Sequence, residues 1–380
     1  MHRGRLGDWR IRSIRAAGFV CIVTTVTAGE AKEAPLKEPA SLSTWEPSLT
    51  LKLAGGFKDN VALSQSRPES SAFVRASLDA VAVRLPVDGI QSTFLLLAED
   101  LRYLSSSSVK HEDFIFGQAE VRRFWLNDWQ GAISFESAYI DQVIDLSVTE
   151  TNQTRLAVKG GTLIGRPSVR RELSRDLWLG LESAVTRQMF DGLPDDYWIV
   201  APKATLGRTY GNASEVTGAY EYSFRHYDTE LARAVDRSIE TNRTRLSYQH
   251  ELQGVWKHNW DEARRFRTLT KATYRVSLDN ASGYFDYTRF QGAEQFRFRG
   301  GPWEFSLEGR VSHYRFAVQK GTNGRDDRER VDVGMTAHAE YRWGKFVRLF
   351  AEYDVTETIS NLKLEEYTAN TVFAGVGVEF

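Results

Sequence analysis

The sequence predicts an all-β fold: a transmembrane antiparallel up-and-down β-barrel of about 16 strands. Three observations carry this. Apolar and polar residues alternate from Pro47 to the C-terminus. Short turns and longer polar loops take strict turns between the alternating runs. Tryptophan and tyrosine gather where those runs end.

The first element is a leader. Arg3, Arg5, Arg10, Arg12 and Arg15 precede a short apolar run, Ala16 to Thr27, and Val26-Thr27-Ala28 supplies the small residues of a cleavage site. Basic, apolar, then small is the order of a secretory signal peptide, assigned to residues 1–28. An amphipathic surface helix is the competing reading. Gly18 and the β-branched run from Ile22 to Val26 work against it in water. Residues 29–46 are charged and carry proline, and read as a periplasmic linker. The single cysteine, Cys21, falls inside the leader. The mature chain is therefore expected to lack a disulfide or a cysteine-bound metal. Val20 stands where a lipoprotein signal needs a small residue.

The barrel is assigned to residues 47–380. Its short turns are 85–89, 126–128, 173–176, 211–213, 261–263, 300–302 and 343–345, rich in Gly, Asn, Asp and Pro. Longer loops fall at 63–70, 105–111, 148–153, 191–195, 231–240, 280–283, 319–327 and 361–366. Seven turns and eight loops join sixteen strands, and an even count returns both chain ends to the periplasmic side. Within the runs the side-chain period is two, as in a strand. Between Arg330 and Trp343, for instance, Val331, Val333, Met335, Ala337, Ala339, Tyr341 and Trp343 share one face. Asp332, Thr336, His338, Glu340 and Arg342 share the other. A soluble sandwich would show the same alternation, but its strands run to about 5–6 residues. Trp125, Trp129, Trp178, Trp198, Tyr210, Trp256, Trp260, Trp303, Trp343 and Tyr353 suit interfacial girdles.

Near-balanced charge, 49 basic against 50 acidic residues, argues against a nucleic-acid partner. No run of 18 apolar residues follows residue 30, which speaks only against membrane-spanning helices.

The last run, Thr371 to Phe380, ends on an aromatic residue. That ending resembles the C-terminal assembly signal of bacterial outer-membrane proteins, with Phe380 in the signal position. The chain from Pro47 to Val378 resembles the outer-membrane β-barrel superfamily of Gram-negative bacteria at large. Its opening, Ala54 to Ser64, is similar to the first strand of porin-like and surface-protein-export barrels, and to the barrel of surface-lipoprotein assembly modifiers. The latter place a helical-repeat domain ahead of the barrel, where this chain has residues 29–46. The resemblance implies outer-membrane lipid, lipopolysaccharide and the barrel-insertion machinery as partners. It leaves the oligomeric state open.

The expected function is a porin-like channel or export conduit without a cofactor. The expected lumen lining is Arg75, Asp79, Glu120, Arg122, Glu221, Arg225, Arg245, Glu251, Lys271, Arg275, Glu304, Glu308, Arg310, Glu340, Arg342, Arg348 and Glu352. Such charges either tune solute passage or pair between strands and stiffen the wall, and both can hold in one barrel. Leu231, Val235 and Ile239 stand at helical spacing, so loop 231–240 either folds inward as a constriction or packs on its own rim. Counting symmetrically from the 211–213 turn sets Asp196 opposite Asp228 and Trp198 opposite His226. With Asp195 these form a rim cluster resembling that of outer-membrane aspartyl-type proteases, where an Asp-held His activates water. A solvated or cation-binding rim is the plainer reading. No His-x-Ser, Gly-x-Ser-x-Gly, phosphate-loop or His-Glu-x-x-His element occurs. No catalytic, cofactor or metal residue is therefore assigned. A surface hydrolase and a purely structural barrel remain as alternatives.

Signal cleavage after Ala28 predicts that N-terminal sequencing of the membrane-extracted protein starts near Gly29. A mature chain that still begins at Met1 would contradict secretion.

Overall fold

A computed structural model describes residues 44–87, 89–125, 128–145, 155–191 and 196–380. The signal-peptide assignment and most of the linker lie outside them. Sixteen strands run in chain order among the described residues: β1 (Trp45–Lys58), β2 (Ser71–Val87), β3 (Ile90–Tyr103), β4 (His111–Trp125), β5 (Trp129–Asp145), β6 (Arg155–Glu172), β7 (Leu177–Phe190) and β8 (Tyr197–Tyr210). They continue as β9 (Ser214–Arg233), β10 (Ile239–Asn259), β11 (Phe266–Asp279), β12 (Tyr287–Gly300), β13 (Trp303–Lys320), β14 (Asp327–Trp343), β15 (Val347–Ser360) and β16 (Tyr367–Glu379). Each pairs antiparallel with its chain neighbours, and β1 pairs with β16 to close the barrel. The first strand starts two residues before the expected Pro47 and stops at Lys58, short of the apolar Val61 and Leu63.

Closure depends on side-chain size at the seam. From Thr50 opposite Glu379 to Lys58 opposite Thr371, β1 and β16 meet in unbroken register. A Cβ on Gly375 would stand 2.2 Å from the Leu53 carbonyl oxygen. One on Gly56 would stand 2.5 Å from both Phe73 and Phe373. These glycines let the first and last strands approach while Phe73 and Phe373 fill the inner side. Phe380 finishes the join through its backbone. Its amide donates to the Leu49 carbonyl at 2.8 Å, and the Leu49 amide donates back at 3.3 Å.

The wall is inverted relative to a soluble protein. Leu53, Phe135 and Leu252 point outward and are 61%, 60% and 58% exposed. A 14-residue strand is about 45 Å long and, tilted by roughly 40°, rises about 35 Å, more than an apolar band of about 25 Å requires. Trp125, Trp129, Trp256, Trp303 and Trp343 stand outward near the short-turn end. Arg123 and Arg171 lie over the rings of Trp125 and Trp129. A closed barrel with an apolar outer face and aromatic rims is the exterior of an outer-membrane β-barrel. Trp178 departs from the expected girdle. It is buried on the inner face, lies across Gly207, carries the Arg170 guanidinium at 4.0 Å and donates to Glu215 at 3.2 Å.

Gly375→Val and deletion of Phe380 should each reduce the fraction of heat-modifiable, folded protein, whereas deletion of residues 31–40 should not. Equal folded yields on semi-native electrophoresis from all three would contradict seam-controlled closure.

Candidate pore lining and rim

Alternate positions of every strand turn inward, and the expected charges fall there. Most meet an opposite charge on the same or a nearby strand. Asp79 accepts from Lys52 at 2.5 Å, and Arg75 pairs with Glu99. Arg122 meets Glu120 at 2.7 Å, Arg245 meets Glu230 at 2.8 Å and Arg348 meets Glu340 at 2.8 Å. Glu251 takes Arg275 at 2.6 Å and Arg289 at 3.2 Å, while Glu304 joins Arg297 at 2.9 Å and Arg299 at 3.1 Å. Glu352 binds His338 at 3.1 Å, and Glu308 accepts from Gln295 at 3.1 Å. Arg342 sits opposite Arg348.

Four inward charges make no hydrogen bond and no close ion pair among the described residues: Glu221 on β9, opposite Lys203, Lys257 on β10, opposite Glu215, and Lys271 on β11 and Arg310 on β13, which face no opposite charge in the register. All are partly exposed.

The lining also holds residues that a polar-face reading passes over. Tyr197 and Tyr227 meet edge to face at 5.3 Å beside the Arg225 guanidinium, which lies 4.5 Å from the Tyr197 ring. Arg245 lies 4.4 Å from the Tyr227 ring and 3.4 Å from that of Phe285. On the opposite side of the strand order, Leu95, Leu97, Phe114, Phe116, Ile140 and Val158 form a buried apolar cluster on inward positions of β3 to β6. The inner face is therefore mixed, not uniformly polar. The signal was present in the alternation, since these residues share parity with Glu99, Glu112, Glu120 and Glu136.

At the loop end, side chains lock neighbouring loops together. Asn60 donates to the carbonyls of Ser64 and Thr368, both at 2.9 Å, and accepts from the Ser64 amide at 2.8 Å. Glu69 receives the Ser107 amide and the hydroxyl and amide of Ser108, which hold its carboxyl down at about 2. Arg328 and Glu365 form a buried pair over Phe316, extended by Gln319 and Ser360. Segment 231–240 is neither helix nor constriction. β9 and β10 run long, turning at 234–238, and Val235 and Ile239 are exposed. Their helical spacing is overridden by continued antiparallel pairing.

The 211–213 turn sets the counted register: Trp198 pairs with His226, and the Asp228 amide donates to the Asp196 carbonyl at 2.8 Å. Asp195 lies outside the described residues. Arg187 changes the chemistry of this cluster. Its guanidinium bonds Asp228 at 2.6 and 3.0 Å and Asp196 at 3.2 Å, and lies over the Trp198 ring. No hydrogen bond joins His226 to either carboxylate, so nothing in the described cluster aligns the imidazole as a base. A second rim group was not anticipated. His111, Asp113 and Asp141 bring one ligand atom each within 4.8 Å of one another. Their donors suit a divalent cation, although Arg102 already stands 3.9 Å from Asp113. The His-x-Asp spacing on β4 was its only trace in sequence.

No protein-family model matches the chain, and no curated protein matches it in sequence. Among solved structures it is similar to OccAB3 of Acinetobacter baumannii, at 7% identity and a TM-score of 0.47, over 89% of this chain and 100% of that one. OprB of Pseudomonas putida in its high-pH structure matches at 8% identity and 0.47, over 89% and 94%. A bacterial polysaccharide outer membrane secretin matches at 8% and 0.43, over 87% and 97%.

The depressed Glu69 carboxyl predicts a sign for acid behaviour. Its folded value lies below the ordinary one, so the clamp's stabilisation is present above about pH 4.5 and is lost as pH falls toward 2. Limited proteolysis of segments 59–70 and 104–110 should stay slow down to about pH 4. In Glu69→Gln it should be fast already at neutral pH. Equal cleavage of wild type and variant at pH 7 would dismiss the clamp.

Proposed function

We propose that this barrel forms a water-filled conduit for small polar solutes across the outer membrane, without a cofactor or a catalytic step. The observation that carries this is a pair of inward charges, Lys271 and Arg310, that flank Ala293 and face no opposite charge in the register. An ion without a partner in a dry interior costs far more than a folded chain can spare, so these side chains require water in the lumen. Sixteen strands leave an interior too wide for wall side chains to fill. The paired majority of the lining stiffens the wall, and the unpaired few are free to act on solutes. The rim cluster supports a hydrolase poorly, because Arg187 neutralises much of the charge that a general base would use.

Ion selectivity should be mild. Inward charges of both signs alternate around the wall, and their fields decay over about 8–10 Å in physiological salt. Purified protein in a planar bilayer should show stepwise conductance, and Lys271→Glu with Arg310→Glu should shift it toward cations with the fold retained. A bilayer that stays electrically silent with folded wild-type protein would reject the conduit in favour of a structural barrel.

A further inference from the structure

Two unrelated oddities meet on the outer face of β9 to β13. The first is a strip of small residues. Gly218 pairs directly with Gly254, Gly254 with Ala272, and Ala272 with Gly292. Glycine weakens a strand and usually marks a bulge or a close approach by something else. Here the barrel itself does not ask for it: a Cβ on Gly218, Gly254 or Gly309 would meet nothing within 4 Å. Gly218, Gly254 and Ala272 of this strip floor an outward groove of about 670 Å³ walled by Leu206, Tyr220, Leu252 and Phe290.

The second is Glu294. It lies on β12 on the same outer face, directly opposite Thr270 on β11 and Gly309 on β13, two residues from Gly292 and from Phe296. It is exposed, and no hydrogen bond or ion pair holds it. An ionisable side chain facing lipid is costly and marks a functional position.

We propose that this face is a homodimer interface in which a second copy packs against β9–β13 and supplies the hydrogen-bond donor that Glu294 lacks. The patch is self-complementary. An acceptor, Glu294, and a hydroxyl donor, Thr270, stand side by side, so a twofold axis along the membrane normal places each carboxylate against the other copy's hydroxyl, as an isologous contact requires. The small-residue strip lets the two walls come close enough for that contact, as small residues do between membrane helices. A lipid acyl chain would fill the groove but would leave Glu294 without a donor. The proposal rests on the barrel being embedded in a membrane, not on its conducting.

The test uses the full mature chain in native membranes and in mild detergent. A short thiol cross-linker should trap Phe296→Cys, on the outer face of β12 beside Glu294, as a dimer and leave Leu163→Cys, on the outer face of β6, monomeric. By light scattering, wild type should be dimeric. Glu294→Leu and Gly254→Leu should each weaken dimerisation tenfold or more, while keeping the heat-modifiable fold. The proposal is overturned by monomeric wild type without Phe296→Cys cross-links, whether or not lipid co-purifies. It is equally overturned by a dimer that both substitutions leave intact. Loss of conductance with the dimer preserved would strike the conduit reading and leave this one standing.

Discussion

The whole structure depends on pairing between the first strand and the last. In hydrocarbon no water is present to satisfy a backbone amide or carbonyl, so a sheet can cross only if it has no edge. Here that demand falls on β1 and β16, separated by almost the entire sequence and joined in unbroken register. Gly56 and Gly375 permit the approach, and Phe73 and Phe373 fill the inner side of the join, with the Arg75 guanidinium 4.7 Å from the Phe373 ring. The outward Phe380 contributes through its backbone, a separate role from whatever its ring does in assembly.

Once the sheet is closed, a period of two gives the chain an outer and an inner surface with opposite requirements. Outside, apolar side chains replace water contacts with lipid contacts. Inside, long charged side chains are crowded on a concave wall, and most find an opposite charge across one strand. Those pairs are costly to break singly, because the remaining partner is left uncompensated. The exceptions on each surface carry the functional argument. Lys271 and Arg310 inside face no opposite charge in the register, and Glu294 outside has no hydrogen bond or ion pair.

The loop end is built on different physics. Single polar residues there tie separate loops together: Asn60 reaches Thr368, Glu69 reaches Ser107 and Ser108, and Arg328 reaches Glu365. These contacts join segments far apart in the chain. They hold the rim loops to one another and explain why segments with little regular structure stay packed.

The alternation of seven short turns with eight longer loops was enough for the strand count, the period of two in Val331 to Trp343 for the two faces, and the Gly-Asn-Ala turn at 211–213 for the register of Trp198 against His226. Each depends on local backbone geometry and on a period that admits no phase error. Helical spacing in 231–240 left that segment undecided, because spacing alone carries no information about the ladder that β9 and β10 extend through those residues. Trp178 misled: its place near a strand end says interface, while its parity says lumen, and parity wins because a strand cannot rotate one side chain to the other face. What only the tertiary structure decided were the partners. Whether Glu221 or Arg310 stands alone, or whether Arg187 reaches both Asp196 and Asp228, is set by which strands become neighbours and by how far apart they pair. Those distances exist only after the barrel closes, because electrostatic and hydrogen-bond energies depend on separations in space that a linear sequence does not contain.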